Sequence, residues 1–242
     1  MKIIDYEDLI FEDNESYGKG SFGNIKKCEV DGMTFAYKEF YDSDYLVGKK
    51  RKIDLLSNID DPKLYVPKYW VKKDGNTNRY LTDFLDGHDL DIISDEDYST
   101  KFLTLKKIKE QILKMHEYGL IHSDLIGSNI MYNENDIGIV DFDNSSFGKY
   151  KTKLIHSNDL TQEFIKRYGI TKELDIFIFN LVTFSVMNDI GCFYFTREKV
   201  WMSDYGVFNN TDGVKICNSF FLDDKVPNKD FLIDTIEDTT CL

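Results

Sequence analysis

The sequence predicts an α+β protein in which a β-rich lobe, residues 1–85, precedes a helical lobe, residues 86–242, the two together making one domain. Three observations carry this. Asn24–Val30 and Thr34–Phe40 are short strand-like runs on either side of Asp31-Gly32, a hairpin signal. From Phe102 to Tyr118, Leu105, Ile108, Ile112 and Met115 recur at spacings of three and four, the period of a helix face, and Gly119 ends the run. Between the two patterns, Asp86-Gly87-His88-Asp89 breaks the strand rhythm and puts the boundary near Asp83–Gly87.

The remaining elements follow in order. Ile53, Leu56 and Ile59 sit at helical spacing, so Lys49–Ile59 is expected to be a helix. The basic run Lys49-Lys50-Arg51-Lys52 reads as its solvated face. Tyr65–Lys72 and Asn78–Leu85 read as strands joined by the turn at Asp74-Gly75. The cluster Asp95-Glu96-Asp97 reads as a helix entry or a solvated loop. Asn129–Tyr132 and Ile137–Val140 read as short strands, and Leu160–Tyr168 and Leu174–Met187 as helices.

Composition narrows the function. Of 242 residues 42% are hydrophobic, enough to bury a core. Thirty basic against 43 acidic residues give a net charge of −13, which repels phosphate backbones and anionic membranes, so neither nucleic acid nor membrane is expected as a partner. Cys28, Cys192, Cys217 and Cys241 form no metal-binding spacing and read as reduced thiols of a cytoplasmic protein. Ile176–Val186 is too short to span a bilayer.

Four motifs carry chemistry. Gly18-Lys19-Gly20-Ser21-Phe22-Gly23, followed by Asn24-Ile25, opens a strand rather than a helix; glycines at this spacing let backbone N–H groups approach phosphates. Phe35-Ala36-Tyr37-Lys38 follows on the next strand, where a small side chain two before a lysine leaves room for a flat ring and aims an ammonium. His122-Ser123-Asp124-Leu125-Ile126-Gly127-Ser128-Asn129 follows the long helix, and Ile139-Val140-Asp141-Phe142-Asp143 comes after it. Phosphoryl transfer needs a carboxylate to orient the attacking hydroxyl and hard oxygen donors for Mg²⁺. Asp124 suits the first need, and Asn129 and Asp141 the second. Any one of them alone is as readily a turn or helix cap.

In order and spacing these motifs resemble the protein-kinase set G-x-G-x-x-G-x-V, V-A-I-K, H-R-D-L-x-x-x-N and D-F-G. The resemblance implies a bilobal protein-kinase-like fold and an ATP- and Mg²⁺-dependent Ser/Thr protein kinase. By it, Gly18 to Ile25 cover the phosphates, Lys38 contacts them, Asp124 is the catalytic base, and Asn129 and Asp141 hold the metal. Leu81–Leu85 resembles the hinge, with Asp83 and Leu85 presenting backbone to adenine and Thr82 near the gatekeeper. Asp175 resembles the buried acid that braces the catalytic loop. For Lys38 to serve this chemistry, its ammonium must meet the carboxylate of Asp141.

Departures are also legible. Ser123 stands for the usual arginine, Ile126 for the usual lysine and Asp143 for the usual glycine, and the helix position expected to hold a glutamate for Lys38 falls on Lys52. Asp54 is the nearest acid, on another face. No A-P-E-like triplet follows Asp143, and no motif is recognised in residues 197–241. The run from His122 to Asp143 is also similar to aminoglycoside and choline kinases, so a small-molecule acceptor stands beside a protein one. A nucleotide-binding scaffold without turnover is the third reading.

Overall fold

The structure is a computed structural model that describes residues 1–12, 18–20, 22–42, 44–90, 93, 96–133, 136–152 and 159–187. Cys192, Cys217, Cys241, Trp201, Asp95 and Ser21 lie outside the described residues. The chain divides into two compact units. The first is Met1–Asp86 joined by Gly138–Asp143; the second is Gly87–Ile137 and the described residues from Asn144 onward.

The first unit is a twisted sheet. Its strands are β1 (Lys2–Asp5), β2 (Ile10–Phe11), β3 (Gly18–Lys19), β4 (Gly23–Val30), β5 (Met33–Phe40), β6 (Pro67–Lys73) and β7 (Asn76–Asp83). The order is β1-β6-β7-β5-β4-β2, with β3 paired to β4. Both Asp-Gly turns behave as read: Asp31 (φ 50°) and Gly32 (φ 74°), like Asp74 (φ 50°) and Gly75 (φ 78°), have both central residues left-handed, as tight hairpins require. The N-terminal strands were not foreseen. β1 joins β6 in parallel, Lys2 opposite Tyr69, and β2 pairs antiparallel with β4.

Alternation along β5 sends side chains to two faces. Phe35 and Tyr37 join Leu9, Cys28, Val30, Val71 and Leu81 on one, closed over by Ile4, Tyr6, Phe11 and Tyr69. Phe40 joins Leu46, Ile53, Trp70 and Tyr80 on the other. Each such buried large apolar side chain stabilises by about 1.5–3 kcal/mol relative to exposure.

Ile53 and Leu56 are contributed by α1 (Lys50–Leu56), which is shorter than the sequence pattern suggests. It stops because the Ser57 hydroxyl donates to the Asp54 carbonyl and the Asn58 amide to the Leu55 carbonyl, drawing the last turn closed. The expectation that Lys49–Lys52 forms a solvated face fails at Lys52, which is 5% exposed. Strand β6 starts at Pro67 rather than Tyr65, because the Tyr65 N–H goes to the Ile139 carbonyl instead, at 2.9 Å.

The second unit is helical. Helix α2 (Tyr98–Glu117) is capped by Asp97, whose carboxylate accepts from Thr100 N–H at 2.9 Å, and ends at left-handed Gly119. Its Leu105, Ile108, Ile112 and Met115 are fully buried, as the period predicts. It packs on α4 (Lys172–Met187), against which α3 (Asp159–Tyr168) also lies, with Phe164 stacked on Phe177 at 4.8 Å. Short strands complete the unit: β8 (His88–Asp89) pairs with β10 (Ile130–Tyr132), and β9 (Leu120–Ile121) with β12 (Ser146–Phe147). Strand β11 (Ile137–Ile139) leads the chain back into the first unit. Among the described residues no helix is long and apolar enough to cross a membrane.

Two outcomes follow. A β-carbon at buried Gly138 would run into the Tyr65 ring, so Gly138→Ala should destabilise by about 2 kcal/mol in urea unfolding. Burial pushes the Cys28 thiol up to about 12, so it stays protonated at pH 8; peptide mapping after native iodoacetamide treatment should leave Cys28 unlabelled, and denaturation should expose it.

Candidate functional site

In the first unit, strand pairing brings the glycine-rich and lysine motifs side by side. The glycine-rich segment is a tight hairpin: Gly18 lies opposite Ile25 and Lys19 opposite Asn24, and Gly20 N–H reaches the Gly23 carbonyl at 2.9 Å. The next pairing sets Ile25 opposite Lys38 and Lys27 opposite Ala36; β7 then sets Tyr80 opposite Lys38 and Thr82 opposite Ala36. Directly opposed residues share a face, so Ile25, Ala36, Lys38, Tyr80 and Thr82 line one side of the sheet. Phe22 stacks on Tyr45 at 4.7 Å and Tyr45 on Phe40 at 4.8 Å, which pins the hairpin tip. Asp83 closes β7, ion-paired to Lys68 at 3.6 Å, and Leu85 follows it with a methyl group beside Gly138.

The glycines differ in what requires them. A β-carbon on Gly23 would fall 2.5 Å from the Glu39 carbonyl, so close strand pairing forbids any side chain there. At Gly18 a β-carbon would meet nothing within 4 Å, and at Gly20 only the Gly23 carbonyl at 3.7 Å; neither has a positive φ. Their bareness keeps backbone open without serving the internal packing.

Lys38 meets Asp141. Its ammonium donates to Asp141 Oδ1 at 2.5 Å and to Asp143 Oδ1 at 2.9 Å. It also lies 5.2 Å from the Phe40 ring centroid. The Asp143 side chain is fully buried and takes a further hydrogen bond from the Tyr80 hydroxyl at 3.3 Å; the Asp141 side chain is 37% exposed. Burial opposes the charge on Lys38, but Asp141 and Asp143 outweigh it and raise its pKa. Asp143 is likewise opposed by burial and held ionised by Lys38, well below the usual carboxylate range. Asp141, a second carboxyl on the same ammonium, is raised above the usual carboxylate range, its desolvation and the neighbouring Asp143 charge outweighing Lys38.

The acid for Lys38 therefore comes from the strand-end segment and not from α1. Asp54, the only acid of α1, accepts from the Trp70 indole at 2.7 Å. Lys52, at the position expected for an acid, donates to the Asp143 carbonyl at 2.8 Å, and burial draws its pKa down to about 8. Lys52 and Tyr80 were missed as site residues. The signal was present as two departures, a cation where an acid is expected and an acid where glycine is expected, which cancel in charge.

In the second unit, Asp124 and Asn129 are locked together. The Asn129 amide donates to the Asp124 carbonyl at 2.8 Å and to its carboxylate at 3.3 Å, and Asp124 N–H reaches His122 Nδ1 at 3.3 Å. Preceding them, Ser123 has φ 70°, a conformation costly for a side-chain-bearing residue. Buried Asp175 compensates by accepting N–H groups from Ser123 at 2.7 Å and His122 at 2.9 Å, and it also meets His116 Nε2 at 2.9 Å. This is the bracing position expected of Asp175, and His116 is a buried packing histidine whose Nε2 is satisfied. Asp141 shares the backbone feature, with φ 65°.

The protein kinase domain model matches residues 11–219. The chain belongs to the protein kinase family. It is 25% identical, over 55% of its length, to a probable serine/threonine-protein kinase of Dictyostelium discoideum. It is 23% identical, over 74% of its length, to ribosomal protein S6 kinase 2 alpha of Xenopus laevis. The matched stretches span 16% and 26% of those two proteins. As a kinase-domain chain it has the family's α+β fold, a curled sheet followed by helices.

Asp175→Ala in this kinase domain should leave two backbone N–H groups and His116 without their buried acceptor, lowering stability by about 3 kcal/mol in urea unfolding. A loss below 1 kcal/mol would show that the carboxylate does not hold the strained Ser123 peptide.

Proposed function

We propose that the chain is an ATP- and Mg²⁺-dependent phosphotransferase that transfers the γ-phosphate to a Ser or Thr hydroxyl of a protein, in the cytoplasm. The observation that carries the reading is the ion pair between Lys38 and Asp141, residues far apart in sequence that meet beside the glycine-rich hairpin. The printed activities of both relatives, a serine/threonine kinase and a ribosomal protein S6 kinase, support the acceptor class.

The residues present suit the nucleotide and its metal. Gly18 and Gly20 leave backbone room that the fold itself does not use. Asp141 offers a partly exposed hard oxygen donor, and Asp141 with Asn129 would hold Mg²⁺, whose chemistry when bound is to neutralise phosphate charge. In this reading Gly18, Lys19, Gly20, Ser21, Phe22, Gly23 and Ile25 cover the phosphates, Ala36 leaves room for the ring, and the backbone of Asp83 and Leu85 receives adenine. Lys38 holds phosphate oxygens through its ammonium. Asp124, fixed by Asn129, orients the acceptor hydroxyl and takes its proton. With Ile126 in place of a lysine, the transferring group lacks one cation, so turnover should be slow for a kinase.

Labelled ATP with Mg²⁺ and generic protein substrates tests this. Wild type should label protein, and Asp124→Asn should lower the rate about 100-fold or more while retaining nucleotide binding. Equal labelling by the variant, or binding without turnover in wild type, would overturn it. Transfer confined to an aminoglycoside or choline panel would reassign the acceptor.

A further inference from the structure

We infer that this kinase domain has exchanged the charges of its lysine-positioning pair: Asp143 is the standing counter-ion of Lys38, and Lys52 of α1 anchors the Asp143 backbone in place of a helix acid. The inference rests on the kinase reading for its functional consequence, but its geometry is independent of it.

Four observations converge. Lys38 is nearly buried and needs a permanent counter-charge. Asp143, with no exposed side-chain surface, supplies one at 2.9 Å and is steadied by Tyr80. Asp54, the acid of α1, is bonded to Trp70. Lys52, buried on α1, donates at 2.8 Å to the carbonyl of the same Asp143. By formal charge, Lys38 and Lys52 face the carboxyls of Asp141 and Asp143, with Lys49 a third cation within electrostatic reach. A glycine at 143 would leave two buried cations facing one acid; an acid at 52 beside Asp143 would leave one cation facing three. Each departure is tolerable only with the other.

The exchange has a consequence for nucleotide binding. When phosphate oxygens draw the Lys38 ammonium, Asp143 still orients it, and Asp141 is released for other partners. Helix α1 then positions the 141–143 segment directly through Lys52, where an acid on that helix would position Lys38. Lys52 and Asp143 are positioning residues; neither is assigned contact with substrate.

A double-variant cycle on the full chain tests this, using Asp143→Gly, Lys52→Glu and the two combined. The readouts are apo melting temperature, Mg²⁺-dependent binding of a fluorescent ATP analogue, and kcat and KM for ATP. Each single variant should melt about 4 °C or more below wild type and bind the analogue about tenfold or more weakly. The combined variant should recover to within about threefold of wild-type binding and regain more than half of the lost melting temperature. Asp143→Asn, which preserves shape, should raise KM for ATP more than it lowers kcat. Additive losses in the combined variant, or an Asp143→Asn protein with unchanged KM, would overturn the exchange. If wild type binds no nucleotide, the kinase reading fails while the melting cycle still decides the pairing. If wild type turns over normally and the combined variant shows no rescue, the pairing fails and the kinase reading stands.

Discussion

The first unit depends on one buried ammonium. Lys38 sits mid-strand with almost no contact with water, where an isolated charge would cost several kcal/mol. Strand pairing alone places it there: β4 and β7 flank β5 and fix both its depth and its face. The sheet cannot answer the charge from its own residues on that face, since Ile25 and Ala36 are apolar and Tyr80 is neutral. The acids come instead from residues 141–143, delivered by β11, whose Ile139 exchanges backbone hydrogen bonds with Lys63 and Tyr65. Unanswered, the lysine would be a defect; answered, it is a fixed cation beside a hairpin with open backbone.

The second unit is organised by the opposite charge. Asp175 is wholly buried and is answered by backbone N–H groups of His122 and Ser123 and by the His116 ring. Those bonds offset the left-handed conformation of Ser123, the residue just before Asp124. Asn129 then ties the Asp124 side chain to its own main chain. In both units an unusual φ adjoins or occupies a motif acid, at Ser123 before Asp124 and at Asp141 itself, and in both a buried polar side chain of known partners holds the neighbouring geometry.

Local signals were the legible ones. Asp-Gly turns, the three-four spacing of α2 and the alternation of β5 each follow from one short stretch of chain, and each took the form its chemistry predicts. The four motifs were readable because their spacing is itself local. What could not be read was settled by partners distant in sequence. Strands β1 and β2 have no strong pattern of their own and exist because β6 and β4 offer edges and Tyr37 offers an aromatic surface to Tyr6 and Phe11. Lys52 was legible as a cation where an acid is expected, but its burial and its bond to the Asp143 carbonyl were not. Tyr80 carries no motif at all.

The return of Gly138–Asp143 to the first unit makes that unit discontinuous along the chain. Its gene segment is therefore not a portable cassette. A chain cut after Asp86 would retain every strand of the large sheet yet strand an ammonium in its interior with no anion to meet it. Recombination that shuffled the sheet away from the later segment would inherit the architecture without its electrostatics, so the two stretches are bound to descend together.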